Sequence, residues 1–193
     1  KLNAPLTSDI EGIAKPVSSW VKTSKSSKDI GLDTVEAIKV ANKKPGEIAT
    51  LILPGDTAWN EGSKIEEVIL QKNSKKVPID LIKKGIAEIQ KANNPLLLVG
   101  GSALEEKNLI KIALIAEKLG CELKTDWFNA RLDKGAGRIN SIRIPYVVDK
   151  AVEALKNFDT IITIGARQPV AFFAYPNKPG ILTQNKTKFI ELA

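Results

Sequence analysis

From Pro78 onward, short apolar runs alternate with stretches of helical spacing, and this alternation constrains the 193-residue chain more than any other feature. Five-residue runs bounded by turn residues and separated by amphipathic segments describe an α/β domain with a mainly parallel sheet and helices on both faces. The pattern predicts a helix over about Ile79 to Lys91, a strand at Pro95 to Val99 and a turn at Gly100-Gly101-Ser102. The next helix, about Leu104 to Leu119, places Leu109, Ile112, Ala113, Ala116 and Leu119 on one face, as packing on a sheet requires, and should stop at Gly120. A strand at Cys121 to Thr125 precedes a polar, glycine-containing stretch that runs to Pro145 and is a candidate functional loop. A helix at Val147 to Lys156 and strands at Thr160 to Ile164 and Lys188 to Leu192 complete the pattern. Right-handed crossovers should place the four strands in one parallel sheet.

The region before Pro78 reads differently. It offers one helix near Asp33 to Asn42 and one apolar strand, Ile48 to Leu53, with no partner strand nearby. An isolated strand leaves its backbone donors and acceptors unpaired. The expectation is that it pairs with another chain or that its own sheet is absent. The polar run Lys72-Asn73-Ser74-Lys75-Lys76 reads as part of a linker between domains. The organisation expected is a partial α/β domain over 1–56, a linker over 57–77 and the main domain over 78–193.

Composition removes several chemistries. With no histidine, the chain has no imidazole to serve as base, nucleophile partner or metal ligand, which excludes most hydrolase triads and zinc sites. The single cysteine, Cys121, excludes an internal disulfide framework and fits a reducing compartment, so a cytoplasmic location is expected. It begins a predicted buried strand and reads as a structural thiol. No apolar run is long enough for a bilayer and no signal peptide opens the sequence, so no membrane attachment is expected. Methionine is absent, and an internal piece of a longer protein is therefore expected. The net charge of +7 comes with scattered lysines and only 5% aromatic residues, a pattern of solvated surface and not of nucleic-acid binding.

The segments Ala4-Pro5-Leu6-Thr7-Ser8-Asp9-Ile10, Pro16 to Trp20 and Lys44-Pro45-Gly46-Glu47-Ile48-Ala49-Thr50-Leu51-Ile52-Leu53-Pro54-Gly55-Asp56 come first along the chain. They resemble the closing third of the pyrimidine-binding domain of thiamine-diphosphate-dependent enzymes, where the last strand ends in Leu-Pro-x-Asp. The remainder resembles the Rossmann-like central domain of that family, through Pro95 to Gly101, Phe128-Asn129-Ala130-Arg131-Leu132, Gly135-Ala136-Gly137-Arg138 and Ile164-Gly165-Ala166-Arg167. Each motif alone is weak; their joint order carries the likeness, which is closest to acetolactate synthase large-subunit-like proteins. The resemblance implies a parent enzyme that uses thiamine diphosphate and magnesium on a small 2-oxo acid, by decarboxylation with carboligation or release of an aldehyde. It further implies the other domains of the same enzyme as partners and a homo-oligomeric parent. The family's activating glutamate and its Gly-Asp-Gly to Asn magnesium motif have no counterpart here, so no catalytic or metal residue is expected and this chain alone should be inactive and hold neither cofactor. Gly55-Asp56-Thr57 with Asn93-Asn94 resembles the second motif only superficially, and Asp56 is expected as a turn residue closing the strand. True acetolactate synthases carry a Phe-Gln pair close to Pro5-Leu6; its absence here removes a marker of pyruvate condensation.

Open α/β sheets bind ligands beyond the carboxyl ends of their strands. Three loops should meet there: Gly100-Gly101-Ser102, the stretch from Asp126 to Arg143, and Gly165-Ala166-Arg167-Gln168. Corresponding loops hold FAD in flavin-containing acetolactate synthases, so a nucleotide crevice of Gly100, Gly101, Ser102, Gly165, Ala166 and Arg167 is one reading. In the other, the glycines only permit tight turns. All four arginines, Arg131, Arg138, Arg143 and Arg167, fall in the segment bordering the crevice, as anion contacts or as partners in ion pairs. Trp127, Phe128, Tyr146, Phe172, Phe173 and Tyr175 either stack a flavin or pack in a core or interface. Two other functions stay open beside the enzyme fragment: a free-standing nucleotide-binding module and a structural spacer.

Overall fold

In a computed structural model, which describes residues 4–43, 46–62, 64–70 and 76–192, the chain divides into two units, Lys1–Ser74 and Lys75–Ala193. The first contains α1 (Ile10–Ala14), β1 (Trp20–Thr23), α2 (Ile30–Ala41), β2 (Ala49–Ile52) and α3 (Gly55–Trp59). Asp9 caps α1 by accepting the Gly12 N–H at 2.9 Å. The strand expected to lack a partner has one: β2 pairs in parallel with β1, from Trp20 opposite Ala49 to Thr23 opposite Ile52, and α2 is the connection between them. The sequence hid β1 because a lysine interrupts its four residues, and all four are only half-buried.

That lysine joins a polar staple between strand and helix. Lys22 Nζ lies 2.8 Å from both Asp33 and Glu36 of α2, and the buried Ser24 hydroxyl donates to Asp33 at 2.5 Å. Asp33 is 4% exposed. The hydrogen bond from Lys22, followed by that from Ser24, holds its carboxyl below the ordinary aspartate range. Asp56 does not close β2 as a turn residue; it stands in the first turn of α3, its side chain accepting the Thr57 N–H at 3.0 Å. That short helix occupies the start of the expected linker. Lys72 to Lys75 of the polar run lie outside the described residues.

The second unit comprises α4 (Ile79–Lys91), β3 (Pro95–Val99), a 3-10 turn (Gly101–Leu104), α5 (Glu106–Leu119), β4 (Glu122–Thr125), β5 (Ile142–Arg143), α6 (Val148–Leu155), β6 (Thr160–Ile164) and β7 (Lys188–Glu191). All five strands are parallel, in the order β5-β4-β3-β6-β7. The four expected strands thus share one parallel sheet, and β5 adds an edge from within the polar stretch. Helix α5 starts two residues later than expected because the 3-10 turn and the extended Glu105 (φ −58°, ψ 133°) precede it. It ends as expected, Gly120 adopting φ 67° while the Cys121 N–H bonds the Ala116 carbonyl at 2.8 Å.

Strand periodicity sorts the core onto the two faces of the sheet. Leu97, Val99, Ile162 and Ile190 pack with Ile89 of α4 and with Leu109, Ile112 and Ala116 of α5. Leu96, Leu98 and Ile161 pack with Val148, Ala151 and Leu155 of α6. Each fully buried leucine or isoleucine contributes about 1.5–3 kcal/mol. At the amino-terminal end of the sheet Asp159 ties two turns by accepting the Asn93 and Asn94 N–H groups at 2.8 and 3.2 Å. Among the described residues no helix is long and apolar enough to cross a membrane.

Candidate functional site

From β3 the chain moves outward to β4 and β5, and from β6 it moves the opposite way to β7. The topological switch point therefore lies between β3 and β6, where the two glycine turns expected to meet do meet. The Gly100 N–H donates to the Ile164 carbonyl at 3.0 Å. A Cβ built on Gly100 would stand 2.6 Å from the Gly165 carbonyl oxygen, and one on Gly165 would strike the Gly100 carbonyl. Gly165 also has φ 65° and Gly101 φ 51°, a backbone region that side chains disfavour. The space that glycine leaves free is thus filled by the opposite turn. This contact accounts for Gly100 and Gly165 without a ligand, and it is a poor fit to a crevice in which FAD phosphates approach the same glycines. Ala166 is buried beneath the contact, while Ser102 and Arg167 are exposed.

The four arginines divide into two kinds. Arg131 pairs with Asp133 at 3.1 Å, and Arg138 with Glu106 at 2.9 Å and Asp133 at 3.7 Å. Arg143 and Arg167 have no carboxylate partner among the described residues. Two of the four expected anion contacts are therefore already neutralised.

A second feature lies beyond β4. The Asp126 N–H bonds the Val99 carbonyl at 3.0 Å, and its carboxylate accepts the Trp127 N–H at 2.7 Å. Burial pushes this carboxyl above the ordinary aspartate range. Asn129 donates to the Asp126 carbonyl, and its own side-chain oxygen is buried without a partner among the described residues. From here the six aromatic residues form a continuous chain of ring contacts. Centroid distances are 5.6 Å for Trp127 to Phe128, 5.7 Å for Trp127 to Tyr146, 5.4 Å for Phe128 to Phe172 and 5.7 Å for Tyr146 to Phe172. Phe172 to Phe173 at 4.4 Å and Phe173 to Tyr175 at 5.7 Å extend it. Only Trp127 joins the apolar core; the other five are exposed, Phe128 to 61%. A cleft of about 490 Å³ is lined by Trp127, Phe128, Arg143, Ile144, Pro145 and Tyr146. The sequence named the rings and Arg143 but not Asp126, Ile144 or Pro145 as neighbours. Asp126 carried one signal, an acid immediately after a strand.

For thiamine diphosphate and magnesium the donor set does not fit. No three acidic or cysteine side chains converge on a cation position among the described residues. Asp56 is engaged by its own helix, and the N–H groups of Asn93 and Asn94 by Asp159. Cys121 is half-buried, and burial raises its thiol, as suits a structural residue.

The strand order and the loops at its carboxyl ends define the class, a Rossmann-like domain built on a parallel sheet. The 4-hydroxybenzoylformate decarboxylase of Rhodococcus jostii RHA1, described as thiamine diphosphate-dependent, shares the fold with a TM-score of 0.70 at 20% identity, over 95% of this chain and 35% of that one. The benzoylformate decarboxylase of Polynucleobacter necessarius does so with a TM-score of 0.69 at 22% identity, over 98% and 36%. In sequence the chain is 33% identical over 183 residues, 94% of its length, to a Mycobacterium tuberculosis protein described as a putative acetolactate synthase large subunit, IlvX. No family model matches. Over the part it spans, the chain is similar in sequence to an acetolactate synthase large-subunit-like protein and shares the fold of thiamine-diphosphate-dependent decarboxylases, as its motifs led us to expect. It spans about a third of the length of these relatives.

Proposed function

We propose that this chain is the structural centre of a thiamine-diphosphate-dependent enzyme that decarboxylates a 2-oxo acid, passing the product on by carboligation or releasing it as an aldehyde. The observation that supports this best is the 33% identity over 183 residues, an alignment long enough to include both units. When bound elsewhere in the parent, thiamine diphosphate would supply the carbanion chemistry and magnesium would anchor its diphosphate. The residues described here contribute the scaffold: a rigid sheet whose glycine turns lock β3 to β6, and loops presented at one end. In this reading the parent is a homo-oligomer in the cytoplasm; the free thiol of Cys121 is compatible with a reducing compartment.

The test compares the full-length gene product with the 193-residue chain, each supplied with thiamine diphosphate, magnesium, and pyruvate or benzoylformate. The full-length protein should consume a 2-oxo acid only when the cofactor is present, and the chain alone should consume none. Turnover by the chain alone, or a full-length protein that neither binds thiamine diphosphate nor acts on any 2-oxo acid, would overturn the proposal.

A further inference from the structure

The cleft beyond β4 and β5 combines three properties. Its lining includes rings from separate loops, held in tilted and edge contacts with one another. Arg143 lines it and, unlike Arg131 and Arg138, has no carboxylate partner among the described residues, nor is its guanidinium stacked on a ring there. The cleft is half open to solvent and about 490 Å³ in volume, enough for a small molecule to lie along its wall. Exposing so many rings together is unfavourable for an isolated surface and marks a place where something binds. The concave shape with one cation at its wall suits a small planar anion better than a flat protein partner.

We propose that this cleft binds an aromatic carboxylate, with the ring stacked among Trp127, Phe128 and Tyr146 and the carboxylate held by the guanidinium fork of Arg143. A planar ring meets aromatic faces at favourable offset or edge geometry, and the fork matches a carboxylate bidentately. An aliphatic 2-oxo acid such as pyruvate offers the carboxylate but no ring and should bind weakly. The choice of benzoylformate as the probe rests on the 2-oxo acid reading above; the cleft itself does not.

The experiment titrates benzoylformate, benzoate and pyruvate into the 193-residue chain, following the Trp127 indole and Tyr146 ring resonances by NMR. Both aromatic acids should shift these resonances saturably, with pyruvate at least ~10-fold weaker, about one factor of ten for the lost ring contacts. Arg143→Gln should weaken benzoylformate by ~10-fold or more, whereas Arg131→Gln, whose partner is Asp133, should leave it unchanged. Equal affinity for pyruvate and benzoate, or no saturable shift with either aromatic acid, overturns the proposal. An unchanged affinity in Arg143→Gln does so as well, provided that the amide spectrum shows the variant folded. The two readings fail separately: full-length turnover of benzoylformate without binding to the chain sinks the cleft alone, and binding to the chain with a full-length protein inert toward 2-oxo acids sinks the enzyme reading alone.

Discussion

The switch point and the aromatic cleft stand at the same end of one sheet, yet they use their residues in opposite ways. At the switch point Gly100 and Gly165 bring two backbones so close that neither has room for a methyl group. At the cleft large side chains hold space open, and Arg143 is left without a partner among the described residues. A glycine-rich turn after a strand is thus no sufficient sign of a ligand, because the same residue type serves a loop that packs against another loop. The more informative sign is a charged side chain without an ion-pair partner beside a cleft.

The largest effect that would sharpen this contrast is expected from Gly165→Ala. The new methyl group meets the Gly100 carbonyl while the backbone keeps φ 65°, so the loss should be about 3 kcal/mol or more in a urea melt. A variant within about 0.5 kcal/mol of wild type would mean the turns are slack enough to admit a ligand. Next in size is Asp33→Asn in the first unit, which weakens the hold on Lys22 and Ser24 and should cost roughly 2 kcal/mol. The same carboxyl sets an acid dependence. Its folded pKa lies below the unfolded value of about 3.9, so the folded state binds fewer protons; its contribution is complete above that value and is lost as the pH falls through the depressed one. Melts taken at successively lower pH from about 5 should show wild type losing this increment and Asp33→Asn not losing it.

Smaller effects belong to the cleft. Phe172→Ala removes a half-exposed ring with three aromatic neighbours and should cost about 1 kcal/mol. Arg143→Gln should change stability by no more than about 0.5 kcal/mol, since no ion pair is lost. A large destabilisation there would show that Arg143 serves the fold and not a ligand.

The switch point was more legible in the sequence than the cleft, for physical reasons. Strands β3 and β6 are buried on both faces, so Pro95–Val99 reads as an apolar run and Thr160–Ile164 as a run of β-branched residues, with the bounds the structure shows. Their following glycines could be placed at the switch point from connectivity alone. Strand β1 could not be read, because Lys22 sends its ammonium to Asp33 and Glu36 of α2, a pairing that periodicity does not encode. Strand β5 is two residues long, too short for any pattern. The cleft draws Trp127 and Phe128, Arg143 to Tyr146, and the neighbouring Phe172 from three separate segments. Only the packed fold brings these together, so the rings were visible in the sequence while the space between them was not.

The most direct test of the contrast is a map of amide chemical shifts in the 193-residue chain as FAD is added. If Gly100 and Gly165 are occupied with each other, the amides of Gly100, Gly101 and Gly165 should stay where they are at every FAD concentration. Saturable shifts of those three amides would contradict the account and return the switch point to the role of a nucleotide site.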